Sequence, residues 1–254
     1  MRFDTFLPVP ELRPYVRHFV VSESGEARSY RVFPETGLVM GLQYRGSLFL
    51  MNGSEEQSLH RAGITGITDR YRTFRNAAGI GTILVYFTET GFASFGTTAT
   101  HELYNLSTSL EDIFRRSVIA ATEEHLSECN TDAERISVTE RFLLSQLQRR
   151  EPDRLVAEAV RLIRSSGGTI RIRELNEKLY ISQSPLEKRF RSIVGTSPKK
   201  FASIVRFQSV LRQIRTAGTL TDMAYEHHFF DQAHFIKDFR RYTGDSPEHF
   251  RSLL

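Results

Sequence analysis

Polar side chains able to meet the edges of bases gather in two short stretches. One holds Gln183, Ser184, Glu187 and Lys188, and the other holds Gln232, Ala233, His234 and Lys237. Glutamine can pair with adenine N6 and N7, lysine with guanine O6 and N7, and a glutamate can accept from cytosine N4. Around them Arg191, Lys199, Lys200, Arg240 and Arg241 supply cations of the kind that hold phosphates. Bond-making chemistry is harder to find. The N-terminal histidines His18, His60, His101 and His125 are scattered, and none has a second histidine at the spacing of a metal motif. His101-Glu102 lacks the second histidine of a zinc-protease helix, and the glycines between 79 and 96 lack the Lys-Ser/Thr ending of a phosphate loop. Cys129 is the single cysteine, which removes intrachain disulfides and cysteine-based zinc or iron-sulfur sites. The residues imply no catalytic constellation, no metal and no cofactor.

The elements that position the two polar stretches are written twice. Phe190-x4-Gly195-x-Ser197-Pro198-x2-Phe201 returns 49 residues later as Phe239-x4-Gly244-x-Ser246-Pro247-x2-Phe250. The same offset pairs Ser182 with Asp231, Gln183 with Gln232, Leu186 with Phe235 and Lys188 with Lys237. In each copy an N-cap oxygen from Ser182 or Asp231 opens a helix of about a dozen residues, which Gly195 or Gly244 ends at a positive φ. Ser-Pro then restarts a helix, with proline where its missing N–H does no harm. Ahead of each capped helix, Ile172, Leu175, Leu179 and Ile181, or Leu220, Met223, Ala224 and Phe229, follow a shorter helical spacing. Each unit is thus a short helix, a tight turn and a longer helix, the arrangement that places a second helix in the major groove of DNA. Residues 199–215 contain no breaker and predict one long helix between the units.

Charge follows the same division. Residues 155–254 carry 17 Lys and Arg against 10 Asp and Glu, a net +7, and the preceding residues are left at −3 of the total +4. All five lysines lie in that basic part, and Glu151-Pro152-Asp153 interrupts the chain just before it. Two domains are expected, 1–150 and 151–254, with a polyanion as the partner of the second. No run approaches a membrane span, and Asp4, Pro8, Pro10 and Glu11 interrupt the position of a signal peptide, so a cytoplasmic protein with no membrane partner is expected.

The tandem units, closed in both halves by F-x4-G-x-S-P-x2-F from about residue 155 to 250, resemble the C-terminal domain of the AraC/XylS transcription regulators. The resemblance implies recognition helices at 183–194 and 232–242, entering successive segments of the major groove. By it, Gln183, Ser184, Glu187, Lys188, Gln232, Ala233, His234 and Lys237 become base contacts, and Arg191, Lys199, Lys200, Arg240 and Arg241 phosphate contacts. Two residues depart from the pattern. His228 stands before Phe229 where the family usually has glycine, and Glu187 sets a carboxylate on a face meant for a polyanion.

The first 150 residues read as β-rich. Apolar and β-branched runs predict strands at 16–21, 30–33, 38–44, 47–51 and 80–87, followed by a helix with Leu110, Ile113, Phe114, Val118 and Ala121 on one face and a second from about Asp132 through Leu147. The fold class is α+β: a β-rich domain with a helical pair, then an all-α domain of two helix-turn-helix units joined by a long helix. Residues 12–19, the Pro34-x-x-Gly37-Leu38 turn and 81–95 resemble the N-terminal domain of the same regulators, with Phe19 where a tryptophan often ends the first strand. That likeness implies a small-molecule effector, RNA polymerase as a partner and association as a homodimer. Tyr44, Phe49, Tyr86 and Phe87 are the aromatic residues that could line an effector cavity. An enzyme with a basic regulatory tail and a protein-interaction adaptor are the competing classes.

Overall fold

The computed structural model describes every residue except 97, 149–150, 216–218, 230 and 254. Among the described residues, ten strands form the N-terminal half: β1 (Arg2–Phe6), β2 (Val16–Ser24), β3 (Arg28–Val32), β4 (Val39–Arg45), β5 (Leu48–Asn52), β6 (Glu55–Ser58), β7 (Ala62–Thr65), β8 (Arg72–Asn76), β9 (Ile80–Phe87) and β10 (Ser107–Ser109). All pair antiparallel, in a six-stranded sheet of order β1-β2-β9-β4-β7-β10 and a four-stranded sheet of order β3-β8-β5-β6. Along β9, Ile83, Val85 and Phe87 turn into a core shared with Met40 and Leu42 of β4, and Thr82, Leu84 and Tyr86 alternate to the other face. That second face looks towards the four-stranded sheet.

Two helices follow, α1 (Arg116–Glu128) and α2 (Asp132–Gln146). A reciprocal cap between Thr131 and Glu134 starts α2, and α1 packs on β4. Their apolar faces, with Ile119, Leu126, Ile136, Phe142 and Leu143 buried, are covered within the chain. The first helix begins later than its spacing suggests. Leu110 is buried by a single 3-10 turn capped by Ser109 instead, and Arg115 is still extended.

The C-terminal half contains α3 (Arg154–Ser165), α4 (Ile172–Lys178), α5 (Gln183–Val194), α6 (Pro198–Gln213), α7 (Leu220–Glu226), α8 (Gln232–Thr243) and α9 (Pro247–Ser252). The duplicated signals account for their ends. Gly195 and Gly244 have φ of 96° and 86°, and Ser197, Asp231 and Ser246 accept backbone N–H bonds at the helix starts. Ser182 is the exception: it holds the N-cap position of α5, but its side chain makes no capping bond. Counting between matching helix starts gives 48 from α4 to α7 and 49 from α5 to α8, so the second turn is one residue longer.

Both turns use left-handed residues that are not glycine, Tyr180 at φ 50° and His228 at φ 53°. Left-handed backbone costs a residue with a Cβ about 1–2 kcal/mol, and glycine returns about 0.4–1 of that through its freer unfolded chain. His228→Gly should therefore stabilise the protein by about 0.5–1 kcal/mol. A urea midpoint that rises at constant slope checks this, and a lower midpoint would show that the imidazole contributes more than the strain costs.

The halves are closely joined. Helix α5 lies against the turns Gly91–Ser94 and Thr100–Leu103, and a Cβ added at Gly195 would come within 2.9 Å of Thr100. Phe33 meets Phe207 of α6 and Phe250 of α9 edge-on, with centroids 6.3 and 5.6 Å apart. Arg164 of α3 reaches Thr36 and Glu89, Gln208 of α6 donates to the Glu35 carboxylate at 3.2 Å, and Arg31 pairs with Asp245. One continuous core runs through both halves.

Candidate nucleic-acid interface and interior cavity

In α5 and α8 the burial pattern separates packing from display. Leu186, Phe190 and Val194, and likewise Phe235, Phe239 and Tyr242, turn inward. Gln183, Ser184, Lys188, Gln232, Ala233, His234 and Lys237 are exposed, and Glu187 is half-buried. Gln183 from the first turn of α5 and His234 from the first turn of α8 open onto one concavity of about 990 Å³, whose other walls include Arg171, Lys199, Arg206 and Tyr225. Helices α5 and α8 therefore present their N-terminal turns to a common basic space.

Several polar groups on this face are already engaged. Glu187 pairs with Arg191 at 2.8 Å, which neutralises the carboxylate that stands out in the sequence. His234 lies 3.6 Å from Asp238, and Gln232 accepts from Thr221 at 3.3 Å. Lys188, Lys199, Lys237 and Arg240 are exposed and form no ion pair among the described residues. Arg241 is held elsewhere: Nε donates to the Asp69 carbonyl at 2.8 Å and the guanidinium pairs with the Asp69 carboxylate. Lys200 is half-buried and feels the charges of Arg241 and Asp69, and burial lowers its ammonium pKa. Spacing did not single out Arg171, Arg206 or Tyr225. Arg206, half-buried over the Phe229 ring at 5.2 Å, has its pKa lowered by burial, and Tyr225 is 87% exposed. An aromatic residue left in solvent on an amphipathic helix is the one signal that could have pointed there.

A second concavity, of about 400 Å³, lies between the two sheets. Ser22, Gly41, Gly63 and Thr82 line it from the larger sheet beside Gln43, and the small side chains of those four leave the space open; Tyr30, Leu48, Arg72 and Phe74 close it from the smaller sheet. Gln208 and Leu211 of α6 reach its wall, so the helix between the two units touches the cavity. Of the four aromatic residues picked out by sequence, Tyr86 lines it. Phe87 is in the core, Tyr44 donates to Glu23 under Arg135, and Phe49 stacks beneath Arg75. Burial raises the Glu35 pKa at the cavity wall, against the pull of Arg17 3.8 Å away.

Residues 175–252 match the family model of a helix-turn-helix domain. The chain is also similar in structure to ToxT from Vibrio cholerae, with a TM-score of 0.51 at 11% identity over 93% of this chain and 98% of that one. Against ToxT bound to (E)-4-(8-methylnaphthalen-1-yl)but-3-enoic acid the TM-score is 0.50 at 12% identity, covering 100% and 99% of the two chains. The AraC-like transcriptional activator CuxR is a more distant likeness, at a TM-score of 0.35 and 17% identity over 83% of this chain and 86% of that one. No curated protein matches the chain. At these identities the likeness to ToxT shows a shared two-part fold.

Proposed function

We propose that the helix-turn-helix domain of this chain is of the AraC/XylS type and that the protein is a cytoplasmic, non-catalytic regulator that reads double-stranded DNA with α5 and α8 and answers to a small molecule held in its β-rich half. The observation that carries the DNA reading is the common basic concavity onto which both first turns open. Gln183, Ser184, Glu187, Lys188, Gln232, Ala233, His234 and Lys237 are its base readers. Arg191, Lys199, Lys200, Arg240 and Arg241 are its phosphate contacts, the last once it leaves Asp69. Residues 1–150 sense and residues 151–254 bind. No helix among the described residues is long and apolar enough to cross a membrane.

Substitution separates reading from holding. Lys237→Ala should cost about 1–3 kcal/mol on the preferred sequence and relax the preference at one base pair, because a lysine on guanine O6 and N7 carries sequence information. Arg240→Ala should weaken binding to every sequence alike and lower the salt slope by about 1. Fluorescence anisotropy on selected and scrambled duplexes measures both. Equal losses on the two duplexes for Lys237→Ala would remove it from the readers.

Supporting the effector reading, a volume of about 400 Å³ falls within the roughly 300–1,000 Å³ of small-molecule pockets, and a ToxT structure holds a small organic acid. A bound molecule would touch Gln208 and Leu211, on the helix that sets the spacing of the readers. Only a ligand with unequal affinity for two arrangements can shift DNA binding. RNA polymerase is the further partner this regulator would engage. A homodimer would use the outer faces of α1 and α2, where Leu144 is 39% exposed. Thermal-shift screening of the full chain tests the effector reading, since a ligand at 100 times its Kd stabilises by about 2.7 kcal/mol. A screen without hits overturns it.

A further inference from the structure

Arg72 is the unusual charge of the interior cavity. The cavity's other charged residues are balanced: Arg31 by Asp245, and Glu35 by Arg17 and the Gln208 amide. Arg72, by contrast, pairs with no carboxylate among the described residues. Its guanidinium donates to the Ser107 hydroxyl at 2.8 Å and to the Asn105 carbonyl, and burial pushes its pKa down with no neighbouring charge in opposition. A half-buried cation satisfied only by neutral oxygens gains from an anionic partner, above all one that accepts two parallel bonds from the guanidinium fork. Apolar walls from Leu48, Ile64, Phe74 and Leu84 surround the remaining space.

The groups that hold Arg72 lead to a reader helix. Asn105 has a left-handed backbone at φ 60°, and its side-chain oxygen accepts from the Asp69 N–H at 2.9 Å. The Asp69 carboxylate in turn pairs with Arg241 of α8, whose carbonyl accepts from Tyr71 N–H at 3.3 Å. An unbroken chain of hydrogen bonds thus runs from cavity to reader. We propose that the cavity binds an amphipathic carboxylate, its head on Arg72 and its apolar body between the sheets, and that loading Arg72 loosens Asn105 and Asp69 and frees Arg241 for a DNA phosphate. The inference rests on the reading of this cavity as the effector site. Adjacency alone does not establish coupling, so the test must perturb both ends.

Titration calorimetry on the full chain with decanoate and decanol compares two molecules of the same body and different heads. Decanoate should bind at least about tenfold tighter, the scale of a charged hydrogen bond. Arg72→Gln keeps a donor for Asn105 or Ser107 and should abolish the difference, and Arg72→Lys should restore part of it. Decanol binding as well as decanoate, or a preference that survives Arg72→Gln, overturns the carboxylate inference and leaves the cavity as a site for a neutral effector. If neither probe binds and a broad screen also gives no hits, the effector reading falls with it. For the coupling, decanoate should tighten DNA binding severalfold in the natural chain. Asp69→Asn should bind DNA more tightly without ligand and lose the response; a response equal to that of the natural chain overturns the relay.

Discussion

Raising monovalent salt from 50 to 200 mM should weaken DNA binding by about 40-fold if three phosphates are neutralised, and by about 500-fold if five are, since log affinity falls by roughly 0.9 per phosphate for each tenfold rise in salt. The structure separates these cases. Lys199 and Arg240 are open, and Arg191 is held only by an exposed pair with Glu187 of a kind worth little in water. Those three give the smaller slope. Arg241 is held by Asp69, and Lys200 is half-buried within the field of the same carboxylate, and in that arrangement the two add little. Asp69→Asn should move the slope from about −2.7 towards about −4.5 by releasing both cations. Anisotropy titrations of the full chain at several salt concentrations measure this directly. A slope near zero would remove DNA as the partner, and an unchanged slope in Asp69→Asn would mean that the two cations never reach phosphate.

How far the sequence carried this reading depended on where each residue's partner lies. In the C-terminal half the deciding signals are local: Gly195 and Gly244 end helices, Pro198 and Pro247 start them, and the repeat states each signal twice. Positive φ at His228 was also legible, because histidine tolerates it, whereas the extra residue of the second turn was not. In the β-rich half, β2, β4 and β9 are buried on both faces and read as apolar runs, whereas β6 is Glu-Glu-Gln-Ser on an exposed edge and β8 offers only Phe74 to the core. Edges such as β6 carry charge to resist pairing with other chains, and that erases the strand pattern; β8 lies inside its sheet but alternates polar residues around a single apolar one. The cavity was hidden for a different reason. It takes one to three residues from each of many strands, and small side chains such as Gly41, Gly63 and Ser22 create it by what they leave empty. Arg241 was read as a phosphate contact because a basic residue on a reader helix looks the same whether it faces DNA or an Asp69 that precedes it by 172 positions.

Phe239→Ala should destabilise the chain by about 3–5 kcal/mol, the usual cost of removing a buried phenyl ring and leaving a cavity. The ring is 1% exposed and meets Phe207, Phe235 and Phe250 with centroids 5.9, 5.9 and 5.5 Å away. Phe207 and Phe250 both meet Phe33, so this aromatic cluster fastens α8 and α9 to α6 and α6 to the β-rich half. Phe190, its counterpart in the repeat, meets Phe201 at 5.5 Å inside the first unit. Both substitutions should therefore lower stability by similar amounts, but with different consequences. Against a total of about 5–15 kcal/mol for a typical domain, Phe239→Ala should loosen the second unit, separate Arg241 from Asp69 and Arg31 from Asp245, and abolish sequence preference while weak salt-dependent DNA binding remains. Phe190→Ala should leave those two ion pairs in place. Phe239→Leu refills much of the space and should recover more than half of the lost stability. Denaturant titrations of the three variants, with hydrogen exchange of α8 as a local probe, measure these effects. A loss below about 1 kcal/mol for Phe239→Ala, or equal exchange of α8 in Phe190→Ala and Phe239→Ala, would show that the cluster does not fasten the second reader.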